Sequence, residues 1–154
     1  MKSVLFSLLA TAFILAVGPA SAHEFKAGSI EIKHPWSRAT PKGSEVAGGF
    51  MKLINTGTEP DRLIGGSTAN AGKFEIHESA MEGGVMKMRA LPSLELPSGK
   101  AVELKPGGHH VMLFDLKQQI KARDSVPLTL DVIDPGGKRR TLEVSAAVRP
   151  LGAH

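Results

Sequence analysis

Near the C-terminus, Val126, Leu128, Leu130 and Val132 alternate with Pro127, Thr129 and Asp131. Asp134-Pro135-Gly136-Gly137 interrupts the pattern, and Leu142, Val144, Ala146 and Val148 then resume it. Successive side chains of a strand point to opposite faces, so this pattern specifies a β-hairpin with one face buried and one solvated. Helical neighbours lie three and four residues apart and cannot produce it. The same pattern recurs upstream in shorter runs. Ile30-Glu31-Ile32 leads through His34-Pro35 to Trp36, an expected core anchor, and residues 48–54 end at Asn55-Thr56-Gly57. Residues 61–65 and 73–77 are separated by the small-residue loop 66–72, and residues 111–116 follow Pro106-Gly107-Gly108. Leu94–Leu96 and Ala101–Leu104 flank Pro97-Ser98-Gly99, which reads as a hairpin loop. Apolar runs bounded by Gly, Pro and Asn at this spacing predict about eight strands in one all-β sandwich or barrel.

The first residues follow a different pattern. Lys2, an apolar run over residues 4–17 and then Gly18-Pro19-Ala20-Ser21-Ala22 describe a secretory signal peptide over residues 1–22, cleaved after Ala22. The apolar run falls short of the roughly 20 residues that span a bilayer, so no membrane association is expected after cleavage. Residues 23–154 remain as a single exported β domain that begins at His23 and is expected to be a monomer. With no cysteine, the chain has neither a disulfide framework nor thiolate metal ligands, and blue-copper electron transfer is excluded. Basic residues are scattered apart from Lys138-Arg139-Arg140. One Trp and no Tyr leave little surface for stacking bases, which argues against nucleic acid as a partner.

Chemistry is concentrated in two clusters. His77 is followed by Met81, Met86 and Met88, and His109-His110-Val111-Met112 comes some 22 residues after Met88. Thioether sulfur suits Cu(I), and imidazole binds copper in either oxidation state. On strands, His110 and Met112 share a face beside Phe114, and Met86 and Met88 share a face after Glu82-Gly83-Gly84. His77 falls at the end of its expected strand, so a sandwich rim near Gly-rich turns could collect both clusters into one site. Methionine also fills gaps in cores, and Met112 lies in an apolar strand. Met86-Lys87-Met88, by contrast, sits among Gly, Lys and Arg, a poor setting for a buried pair.

At these residues the chain resembles the periplasmic copper chaperone family PCu(A)C. That family is marked by a His, ten residues, a Met, twenty-one residues and then His-x-Met. His77, Met88, His110 and Met112 fall in that register. The strings HPWSRATP from His34, NTGTEPDRLIG from Asn55, GGVMKMR from Gly83 and LKPGGHHVML from Leu104 are also similar to it. The resemblance implies a cupredoxin-like Greek-key β-sandwich or barrel in the periplasm. It would bind one Cu(I) through His77, Met88, His110 and Met112 and hand it to a respiratory oxidase copper subunit or a thiol copper chaperone. Where members carry an optional Met after the first His this chain has Glu78, and where Tyr often precedes the second motif His it has His109. Some members end in a His/Met-rich tail that takes Cu(II). Here Leu151-Gly152-Ala153-His154 offers little for such a secondary Cu(II) site.

Met81, Met86 and His109 are candidate auxiliary ligands. Three rival functions share the composition. A copper sequestration protein would use the same site without a receiver. A histidine-brace copper enzyme would use the exposed amine and ring of His23, with His34, His109 or His154 as partner. A purely structural β domain would bind no copper. No nucleophile triad, phosphate loop or paired-carboxylate constellation supports hydrolysis, and the protein is not expected to be an enzyme.

Overall fold

The computed structural model describes residues 24–152. The expected signal peptide, His23, Ala153 and His154 lie outside that range. Eleven strands are present among the described residues: β1 (Glu24–Ala27), β2 (Ile30–Arg38), β3 (Val46–Asn55), β4 (Asp61–Ser67), β5 (Ala71–Glu82), β6 (Val85–Leu91), β7 (Leu94–Leu96), β8 (Ala101–Leu104), β9 (His109–Leu116), β10 (Ser125–Ile133) and β11 (Arg139–Arg149). They form one path, β6-β5-β9-β3-β2-β11-β10-β4-β7, with β1 on β2 and β8 on β3. Hairpins account for β2–β3, β5–β6 and β10–β11, while the chain crosses between distant strands from β4 to β5 and from β9 to β10. The path folds over itself into the expected Greek-key β-sandwich.

The C-terminal hairpin forms as its alternation requires, with Leu130 opposite Leu142 and Leu128 opposite Val144. Its inward row meets Ile30 and Ile32 of β2, Leu53 of β3, Leu63 of β4, Ile76 of β5, and Val111 and Leu113 of β9 in one core. Each such aliphatic side chain, fully buried, contributes about 1.5–3 kcal/mol, and this burial replaces the disulfides the chain lacks.

Two expectations are corrected and a third is refined. The strand count is eleven rather than about eight, because β1 and the exposed β6 carry little apolar signal. Leu94–Leu96 and Ala101–Leu104 do not form a hairpin: β7 pairs with β4 and β8 with β3. Asn55, nearly fully buried at the end of β3, holds their connection instead. Its side-chain amide donates to the Leu96 and Glu59 carbonyls, and its backbone bonds Gly99 and Lys100. Finally, Trp36 is buried as expected of a core anchor, but on the outer side of β2 and apart from the central cluster. A register shift between Lys33 and Trp36, with His34 at φ 51°, reverses the alternation of β2. Trp36 therefore faces outward, opposite Phe50 on β3, with ring centroids 4.5 Å apart.

Candidate metal centre

Strand β9 decides which side chains are available for chemistry. Val111 and Leu113 point into the core with no exposure, so His110, Met112 and Phe114 must point to the opposite face. Strand β5 lies alongside in antiparallel register, with His77 directly opposite His110 and Glu75 opposite Met112. Strand β6 continues the sheet on the other side of β5, with Met88 opposite Ser79 and Ala90 opposite His77. His77, His110, Met88 and Met112 thus share one outer face. His77 has His110 as its direct neighbour, and Met88 and Met112 as diagonal neighbours on its two flanks. Such diagonals span about 7–8 Å. The two methionines are not adjacent to each other, because two strand spacings and the imidazole pair lie between them.

The rim expectation holds for His110, the second residue of β9 after Gly107-Gly108, but not for His77. His77 sits within the twelve-residue β5, not at a strand end, because β5 runs on through Met81 to the Gly83-Gly84 turn. Both imidazoles are enclosed, His77 at 9% and His110 at 4% exposure. Phe114 flanks His77 at 5.7 Å between centroids, Phe50 flanks His110 at 6.4 Å, and the two imidazoles are 5.7 Å apart. Gly48, opposite Met112, leaves room for the Phe50 ring, which a Cβ there would approach to 2.7 Å. Met88 is 57% exposed on the edge strand. The face therefore combines a packed imidazole pair with an accessible thioether.

Hydrogen bonding fixes the rings. His110 donates Nδ1–H to the Gly108 carbonyl at 2.9 Å, which leaves Nε2 with the lone pair. His77 donates Nε2–H to Glu75 Oε2 at 2.7 Å, and the other carboxylate oxygen of Glu75 meets the Lys73 ammonium at 2.5 Å. The hydrogen bond from His77, reinforced by Lys73, holds the Glu75 carboxyl below its ordinary range. Glu75 in turn raises the Lys73 ammonium above its own. Two buried side-chain atoms without a hydrogen-bond partner lie on this face, His77 Nδ1 and its strand neighbour Ser79 Oγ. A buried polar atom left unpaired is costly, and here the unpaired nitrogen is the lone-pair nitrogen of an imidazole.

Of the auxiliary candidates, Met81 and Met86 face each other on the same side of the sheet, nearer the hairpin tip. His109 points to the opposite face, where its Nε2 lies 3.6 Å from Glu78 and Arg89 also binds that carboxylate. Glu78 thus binds Arg89 and lies beside His109, away from the His77 face. No group of three or more His, Cys, Asp or Glu among the described residues is placed to hold a metal. A centre on this face therefore depends on the thioethers, which makes it a soft site. Sequence reasoning placed Phe114 beside His110 and Met112 but missed Glu75 and Phe50 as neighbours of the histidines. For Glu75 the signal was present, since a residue two before His77 on a strand shares its face.

Residues 30–148 match the family described as "Putative lipoprotein LpqE-like". A relative from Leifsonia xyli subsp. xyli (strain CTCB07), "Putative lipoprotein Lxx21020", is 30% identical over 119 residues, 75% of this chain and 70% of the relative. Among solved structures, the copper-bound PCuAC domain from PmoF2 is 30% identical with a TM-score of 0.67, over 83% of this chain and 98% of that domain. The Cu(I) form of DR1885 from Deinococcus radiodurans is 28% identical with a TM-score of 0.58, over 87% of this chain and 85% of that one. These likenesses make the fold cupredoxin-like. The chain belongs to the LpqE-like family, and its structural kin are PCuAC copper-binding domains.

Proposed function

We propose that this protein is an exported copper-binding chaperone that carries one Cu(I) on the outer face of β5, β6 and β9. The ligands are His77, Met88, His110 and Met112. The observation that carries the reading is the imidazole pair: His77 and His110 oppose each other across the ladder, and the Nδ1 of His77 is buried without a partner. Copper-bound relatives of the same fold support the choice of metal. Two neutral thioethers and two neutral imidazoles leave the charge of the ion uncompensated, which favours the monovalent state over the divalent one.

The exposure of Met88 favours delivery over storage. An incoming thiolate reaches the ion from the edge of the sheet, and transfer is downhill because a charged soft ligand holds Cu(I) more tightly than a neutral one. The receiver on this reading is a respiratory oxidase copper subunit or a thiol copper chaperone. Export follows from the signal peptide read over residues 1–22, and the lipoprotein description of the family agrees with an exported location. No helix among the described residues is long and apolar enough to cross a membrane.

X-ray absorption on the Cu(I)-loaded protein tests the site by counting neighbours. Two sulfurs and two nitrogens are expected, and a shell without sulfur refutes the ligand set. Oxidase activity in a deletion strain grown at low copper tests delivery. Normal oxidase assembly combined with loss of copper tolerance would assign the protein to sequestration instead.

A further inference from the structure

The geometry points to Glu75 as the positioning residue of this site: it fixes His77 so that Nδ1, not Nε2, is the nitrogen offered to copper. The inference rests on the copper reading above and adds which atom binds and what aims it. Glu75 and His77 are two residues apart on β5 and share the outer face. A carboxylate can only accept, so the 2.7 Å contact between Glu75 Oε2 and His77 Nε2 places the proton on Nε2. In the neutral ring the lone pair is then on Nδ1, the atom that is buried without a partner. At His110 the arrangement is reversed, because the Gly108 carbonyl takes the Nδ1 proton and leaves Nε2 free. The two imidazoles therefore present unlike nitrogens to one ion, Nδ1 from His77 and Nε2 from His110.

Lys73 completes the device. Its ammonium lies 2.5 Å from Glu75 Oε1, so both carboxylate oxygens are engaged although Glu75 stands opposite Met112 at the site. A carboxylate engaged on both oxygens competes less well for the metal, though each oxygen keeps a lone pair. The donor set is thereby biased toward neutral ligands and away from the hard ligand that would favour Cu(II). Partners of this kind, which orient a ligating histidine without touching the metal, change affinity by about 10–100-fold when removed.

The test is nitrogen NMR on uniformly 15N-labelled protein at pH 7.5, with and without Cu(I), which is diamagnetic. In the metal-free protein His77 should carry its proton on Nε2. On loading, His77 Nδ1 and His110 Nε2 should shift while His77 Nε2 keeps its proton. Glu75→Gln, with an unchanged amide spectrum elsewhere, should lose the single-tautomer pattern of His77 and bind Cu(I) about 10–100-fold more weakly. A merely structural Glu75 would leave the tautomer pattern alone. If Cu(I) shifts His77 Nε2 and displaces its proton, Glu75 is a gate rather than a guide, and this inference fails while the copper site stands. If copper binds and neither ring nitrogen of His77 moves, the ligand set itself is wrong. If Glu75→Gln keeps both the tautomer and the affinity, Glu75 has no positioning role.

Discussion

Replacing Met88 by leucine separates ligand from filler cleanly, because the residue costs the fold almost nothing. Met88 is 57% exposed on β6, a strand exposed along nearly its whole length. A change of similar volume at such a position stays within about 0.5 kcal/mol without metal. With metal the difference is large. At free Cu(I) about 100 times the dissociation constant, binding stabilises the folded state by about 2.7 kcal/mol. For a domain of this size that raises Tm by about 10 °C. Even partners that only orient a ligand are worth about 10–100-fold, so losing a ligand should weaken binding at least about 100-fold. At the same free Cu(I) the variant then gains only about 0.4 kcal/mol, or about 1–2 °C. The assay is thermal unfolding under a chelator that buffers Cu(I), with wild type and Met88→Leu side by side. A variant that shows the full wild-type rise refutes the thioether's role. A variant whose metal-free Tm has already dropped by several degrees shows instead that Met88 packs.

Other consequences are independent of copper. Asp61 is 3% exposed and held by Arg140 at 2.5 Å, so Arg140→Met leaves a buried carboxylate alone and should cost about 3 kcal/mol in urea unfolding. Adding Asp61→Asn should recover part of that loss, and no recovery would mean that the Arg140 stem, not the charge, matters. Gly66→Ala should cost about 1–3 kcal/mol, since its Cβ would run into the Thr129 carbonyl oxygen and come within 2.8 Å of the Phe74 ring; a loss below about 0.5 kcal/mol would show that β4 shifts freely. The Glu75 carboxyl is depressed by the hydrogen bond from His77 and by Lys73, so its contribution to stability is present above the ordinary glutamate value near about 4.3 and is lost as pH falls through the lower folded value. The urea midpoints of wild type and Glu75→Gln should therefore converge in acid, and an equal gap at pH 6 and well below 4 would contradict that sign.

How far the sequence reveals these features depends on the range of the interaction concerned. Alternation and turn residues are local, and they place the β10–β11 hairpin and the face shared by His110 and Met112 correctly. Strand partners are not local. Pro97-Ser98-Gly99 carries the same signal whether its flanking strands pair or part, and the choice is made by Asn55, some forty residues away, gripping the loop from β3. Parity counted from Ile30 and Ile32 would point Trp36 inward, and the reversal at His34-Pro35 that turns it outward has no apolar signature. The candidate site mixes both cases. The resemblance to the family motif matches Met88 and Met112, but the direct opposition of His77 and His110 depends on β5 pairing with β9 in one particular register. A slip by one residue would send one of the two histidines to the opposite face.

That register also explains why a carrier would be built on this face instead of in a closed cavity. The imidazole half of the site is rigid: each ring is held by a hydrogen bond, both are enclosed by Phe50 and Phe114, and the strands beneath them form the core. The Met88 half is carried by an edge strand that buries almost nothing. On the proposed reading, breaking the bond between copper and Met88 disturbs no core contact, whereas releasing His77 or His110 would uncover rings packed against the sheet. Ligand exchange should therefore begin at Met88, with an acceptor thiolate taking its place while the imidazoles still hold the ion. Copper transfer slowed by Met88→Leu no more than overall affinity requires, yet abolished by a change at the imidazole pair, would reverse that order and place the exit on the opposite side of the site.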